Sequence, residues 1–98
     1  MNNDELKAKL EATDSPIDRT LGLTFKKVDQ ASGTCTLHFD IGREFTNPMG
    51  VVFGGIQTAM LDAALSLAGT IKSGLTQGMV SLEIKTSYLK AAPPGVFR

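Results

Sequence analysis

Apolar and polar positions recur with two different periods along this chain, and the changes of period mark its elements. From Asp4 to Ala12, Leu6 and Leu10 stand one turn apart among charged residues, which predicts a first helix. Ser15-Pro16 supplies a capping hydroxyl and a proline suited to a helix's first position, and Gly22 stops the short second helix that they start. Leu23 to Asp29 reads as extended, Gln30 to Gly33 as a turn, and Thr34 to Ile41 sets Cys35, Leu37, Phe39 and Ile41 on one side. That alternation predicts a hairpin with one buried face.

Gly42 to Val52 holds Asn47-Pro48 and Gly50, which are loop residues for backbone reasons, and a long helix is predicted from about Gly55 to Lys72. Between Ile56 and Ala68 every residue is apolar except Gln57, Thr58, Asp62 and Ser66, so other elements are expected to wrap this helix on most sides. After a loop at Ser73 to Gly78, Met79 to Ala91 alternates Val80, Leu82, Ile84 and Tyr88 against Ser81, Glu83, Lys85 and Ser87, predicting a third strand. Pro93-Pro94-Gly95 is a turn, and Val96-Phe97-Arg98 opens another strand. Three strands cannot enclose a helix of about five turns, so something else must cover it. The expected organisation is one domain, 1–98, without internal repeat, whose architecture is incomplete at the C-terminus.

Composition narrows the classes of function. A hydrophobic content of 42% with 20% charged residues fits a soluble globular domain. Ten basic residues balance ten acidic ones, which leaves no long-range field to recruit nucleic acid or an anionic membrane surface. No apolar run reaches the roughly 18 residues of a membrane span. Cys35 stands alone and the N-terminus has no secretory pattern, so a cytoplasmic protein is expected. A domain this small buries only roughly 60 to 68% of its unfolded surface, which makes a partner chain a natural source of stability.

Chemistry concentrates on the long helix. Thr58, Asp62 and Ser66 are spaced four apart and form a narrow polar stripe with Asp62 its only charge. The stripe is either a solvent face or a tight groove; small hydroxyls beside one carboxylate suit the groove, where the acid can serve as nucleophile or general base. Gly54-Gly55 either makes the turn into the helix or presents first-turn N–H groups and the positive end of the dipole to a carbonyl oxygen, without side chains in the way. His38 alternates opposite the buried set and reads as a surface histidine, Cys35 as a small core residue. Met49, Met60 and Met79 are either core or the lining of an acyl pocket, and no metal-ligand cluster is visible.

The run Asn47-Pro48-Met49-Gly50-Val51-Val52-Phe53-Gly54-Gly55-Ile56-Gln57-Thr58-Ala59-Met60-Leu61-Asp62 resembles the signature of hotdog-fold acyl-CoA thioesterases of the phenylacetate-pathway type: Asn, a glycine, His-Gly-Gly, then an acid seven residues on. The resemblance extends through Ser81 to Ala91 and back to Leu21-Gly22. It implies an α+β hotdog fold, an antiparallel sheet wrapped around a long central helix, and hydrolysis of acyl-CoA to free acid and CoA without metal or organic cofactor. A homodimer or homotetramer is implied, with Asn47 and Gly54 of one subunit facing Asp62 of the other. In these roles Asp62 attacks the thioester or activates water, the Gly54 N–H polarises the carbonyl, Asn47 helps place carbonyl or water, and Ser81 orients the water. Gly55, Phe53 and Thr58 would contact substrate. Phe53 departs from the motif's usual His, which leaves open a non-catalytic acyl-CoA-binding module, and the incomplete C-terminal architecture leaves open a truncated inactive product.

Overall fold

A computed structural model describes residues 1–76, 86–87 and 90–98. The described elements run α1 (Asn3–Ala12), α2 (Pro16–Thr20), β1 (Leu23–Asp29), β2 (Thr34–Ile41), a 3-10 turn at Arg43–Phe45, α3 (Gly54–Lys72) and β3 (Gly95–Phe97). The strand expected over Met79–Ala91 falls largely on residues 77–85, 88 and 89, outside those described, as do Ser81 and Met79 themselves.

Local chemistry accounts for the boundaries. Asn2 caps α1, its side-chain oxygen accepting from the Glu5 N–H at 2.8 Å, and Asp4 and Glu5 complement the positive end of the dipole. Pro16 opens α2. Gly22 closes it at φ +66°, where a side chain is disfavoured, and it lies so close to β2 that a β-carbon would stand 2.7 Å from the Asp40 carbonyl oxygen. The Asp40 N–H donates to the Gly22 carbonyl at 3.1 Å, so this glycine joins the α2 exit to the sheet.

β1, β2 and β3 form an antiparallel sheet in that order. The pairing of β1 with β2 runs Leu23 to Phe39 and Phe25 to Leu37, then shifts so that Lys27 faces Thr36 and Val28 faces Cys35. The displaced residue is Lys26. Its bulge has a sequence cause: apolar residues at 23, 25 and 28 break strict alternation, and one extra residue returns Val28 to the inner face while both lysines stay outside. β3 continues the sheet beyond β2, pairing Phe97 with Phe39 and Gly95 with Ile41.

α3 packs across the inner face of this sheet. Leu21, Leu37, Phe39, Ile41, Val52 and Met60 form one buried cluster around its N-terminal half. Leu6, Leu10, Val28 and Ile71 form a second where α1 meets the end of the hairpin and of α3. Polar ties hold that second junction: the Asn3 side-chain oxygen accepts from the Gln30 N–H at 3.1 Å, and the Lys72 ammonium donates to the Ala31 carbonyl. Among the described residues, cover of α3 comes from one side. Met60 and Ile71 are buried, but Leu61 and Leu65 remain 48% and 64% exposed. Among the described residues no helix is long and apolar enough to cross a membrane.

Candidate functional site

The loop entering α3 is shaped by Asn47. Its side-chain oxygen accepts from the Met49 N–H at 2.9 Å and the Val51 N–H at 3.4 Å, while its carbonyl accepts from Gly50. Asparagine does this because its side chain mimics a backbone carbonyl two residues on. A bridge between Thr46 and Val52 closes the loop, Phe53 donates to the Phe45 carbonyl at 2.9 Å, and Val52 donates to the Ala92 carbonyl at 2.8 Å. The chain therefore arrives at α3 in one orientation. A structural task for the Asn47 oxygen was not foreseen from the motif, although Asn-Pro within a loop is a turn signal.

α3 begins at Gly54, with Phe53 in the capping position and its carbonyl accepting from Ile56 and Gln57 at 3.0 and 3.2 Å. The Phe53 ring is 58% exposed and lies against Gly55: a β-carbon there would stand 3.0 Å from the ring. A side chain at 55 would displace this exposed ring by a few tenths of an ångström, so the glycine permits the close approach. Gly54 already takes part in an interaction of its own. The positive end of α3 is thus flanked by an exposed aromatic face. Gln57, not singled out by its sequence, holds the junction from inside by donating to the Val52 carbonyl at 3.2 Å.

Asp62 is half-buried and, like Thr58, has an interaction partner. Asp62 and Ser66 look into a cavity of about 250 Å³ between α3 and α2. Ala59, Ala63 and Leu67 form its α3 wall, and Ile17, Asp18 and Leu21 form the wall opposite. Two members of the stripe, Asp62 and Ser66, thus border one space. Thr58 turns elsewhere, its hydroxyl 3.4 Å from that of Thr86. The contribution of Ile17 and Asp18 was invisible in the sequence, because they lie more than forty residues before Asp62 and no local spacing connects them.

Asp62 and the glycines are not brought together within the chain. Eight residues of α-helix separate Asp62 from Gly54, a rise of about 12 Å along the axis. Ser81 lies outside the described residues. Met60 is buried in the core and Met49 is 84% exposed, so these two do not form one lining, and Met79 lies outside the described residues. Cys35 is half-buried, and burial pushes its thiol above the ordinary range, away from the reactive thiolate. Among the described residues no group of His, Cys, Asp or Glu is placed to hold a metal ion.

Against known proteins, residues 49–98 match the thioesterase superfamily. No curated protein matches the chain. Among solved structures, a phenylacetic acid degradation-related protein from Ralstonia eutropha JMP134 is 27% identical, with a TM-score of 0.81 over 93% of this chain and 70% of that one. The PaaI protein of the phenylacetic acid degradation operon of E. coli is 14% identical with a TM-score of 0.78 over 98% of this chain and 68% of its own length. Thioesterase superfamily member 2 from Mus musculus is 21% identical, with a TM-score of 0.68 over 96% of this chain and 68% of its own. The latter two likenesses speak to the fold, which is the α+β hotdog, an antiparallel sheet against a long central helix.

Proposed function

Because the chain belongs to the thioesterase superfamily and is of the phenylacetate-pathway type, we propose that it hydrolyses acyl-CoA thioesters to the free acid and CoA, in a groove shared by two copies of the chain. The observation that carries this reading is the position of Asp62: the one charged residue between Ile56 and Ala68, half-buried at the wall of a cavity.

In this mechanism Asp62 takes a proton from water as the water oxygen attacks the thioester carbon. Negative charge gathers on the carbonyl oxygen, which lies at the positive end of α3 near Gly54 and Gly55. The carbon–sulfur bond then breaks, the sulfur leaves as thiolate, and the proton on Asp62 is passed to it. A base and an oxygen-binding group must each stand about 3 Å from the reacting carbonyl or its water. The separation of about 12 Å along α3 is too long for one chain to meet both demands. It supports a site in which Gly54 and Asn47 come from one copy and Asp62 from the other. Asn47 sets the loop that carries the glycines, Phe53, Gly55 and Thr58 border the substrate, and Ser81 orients the water.

Asp62→Asn keeps the size and most of the hydrogen bonding of the side chain while removing the base. Release of free thiol from acyl-CoA should fall by about a hundredfold or more with the urea midpoint unchanged. Turnover at the parent rate would remove Asp62 from the mechanism. Phe53, in place of the motif's His, favours a second reading as an acyl-CoA-binding module. That reading takes over if acyl-CoA binds but no thioester, aromatic or aliphatic, is turned over.

A further inference from the structure

The chain enters α3 without a capping side chain. Phe53 stands in the capping position and makes no side-chain hydrogen bond there, whereas the Asn2 side chain caps α1. A capping oxygen accepts from the second or third N–H of its helix, here Gly55 or Ile56. It would then stand where the proposed reaction gathers charge on the thioester oxygen. An entry held instead from behind leaves that space clear, and Gln57 holds it from behind.

Gln57 grips two consecutive carbonyls. Its backbone N–H donates to the Phe53 carbonyl and its side-chain Nε2 to the Val52 carbonyl, each at 3.2 Å. The Val52–Phe53 peptide is thereby held at both ends, because its N–H donates to the Phe45 carbonyl at 2.9 Å. The next peptide joins Phe53 to Gly54. In a trans peptide the C=O and N–H point opposite ways, so a Phe53 carbonyl held along α3 aims the Gly54 N–H back out of the helix start. Val52 is buried, and loss of the Gln57 amide would leave its carbonyl to seek another donor by turning the peptide. That turn would carry the Gly54 N–H with it.

Resting on the reading of the α3 start as the place that receives the thioester oxygen, we infer that Gln57 is a positioning residue of the reaction. Its side-chain amide holds the Val52 carbonyl and so fixes the direction of the Gly54 N–H. Gln57 touches neither substrate nor water in this role. It acts on the oxygen as charge builds there, so its loss lowers kcat and leaves KM nearly unchanged.

The test compares the parent with Gln57→Leu, which keeps bulk and helix preference while removing the donor. With phenylacetyl- and hexanoyl-CoA, kcat should fall by about tenfold or more, since misplacement by about 1 Å can cost on the order of a hundredfold, and KM should stay within about twofold. The second readout is the absorption band of 4-dimethylaminobenzoyl-CoA, a thioester whose band moves to the red as its carbonyl oxygen is polarised, bound to Asp62→Asn so that it is not turned over. The red shift on binding should be smaller in the double variant with Gln57→Leu. Gln57→Glu in the same background should also reduce it at neutral pH, where a carboxylate cannot donate to Val52. The shift should then recover as pH falls through the ordinary glutamate range near about 4.3, where the carboxyl gains a proton to donate. A change in stability alone would move neither the band nor its pH dependence. Parent kcat in Gln57→Leu, or a lowered kcat with the parent red shift, overturns the role of Gln57 and leaves the thioesterase reading standing. A bound thioester with no red shift in Asp62→Asn itself overturns both this role and the placing of the oxygen at α3. If nothing is hydrolysed, the thioesterase reading fails and the band decides alone: a shift reduced by Gln57→Leu supports the positioning, and an equal shift overturns it.

Discussion

The β1–β2 hairpin and α3 are both strongly apolar, yet only the hairpin buries what it carries. Leu37, Phe39 and Ile41 are 6%, 5% and 1% exposed, whereas Leu61 and Leu65 on α3 are 48% and 64% exposed. Geometry explains the difference. A strand turns alternate residues to one face, so a single helix laid across that face completes its burial. A helix turns its residues around a full circle, and one sheet covers only part of it. The hairpin is thus a finished structural unit, and α3 has apolar surface in reserve for other cover.

Substitutions can break this contrast, beginning with the largest effect. Phe39→Ala, in the finished half, should destabilise the fold by about 3–5 kcal/mol in urea unfolding. Gly22→Ala places a side chain at a positive φ and 2.7 Å from the Asp40 oxygen, where the α2 exit meets the sheet. It should cost about 2 kcal/mol, less than the loss of an aromatic core residue. Leu65→Ala, in the open half, should change stability by no more than about 0.5 kcal/mol, as exposed positions do. A loss at Leu65 approaching that at Phe39 would show that its face is covered in solution.

Acid gives the gentlest probe. Asp29 at the hairpin turn is held below the usual carboxylate range, chiefly by the Ser32 hydroxyl and then by Asn3, against a smaller opposing effect of desolvation. A carboxyl depressed in the folded state contributes stability above its unfolded pKa and loses that contribution as pH falls through the folded value. Protection of the Gln30 and Gly33 amides, relative to their intrinsic exchange rates, should therefore fall below about pH 4, and Asp29→Asn should flatten that dependence. An unchanged acid response in the Asn variant would place its origin elsewhere.

Most elements were legible because local rules acted alone. Pro16, Gly22 and the turn before Thr34 stand where the chain changes direction, and α3 begins one residue before the predicted start. The bulge at Lys26 was encoded in the spacing of Leu23, Phe25 and Val28, although it was not read from it. The 3-10 turn at Arg43–Phe45 was not anticipated, since its residues carry no strong backbone preference. At the site, the polar stripe of Asp62 and Ser66 was readable from helical spacing, while its opposite wall was not.

By itself the sequence determined the periods, the punctuation and the motif, and with them the elements of an α+β hotdog and the position of the acid. All of these depend on residues close together in the chain, where spacing translates directly into geometry. Tertiary structure alone decided that α2 borders a cavity beside Asp62 and that the Phe53 ring rests on Gly55. Each of those outcomes depends on where a distant segment, or a ring with several rotamers, comes to rest, and that is set by how volumes fit together across the fold.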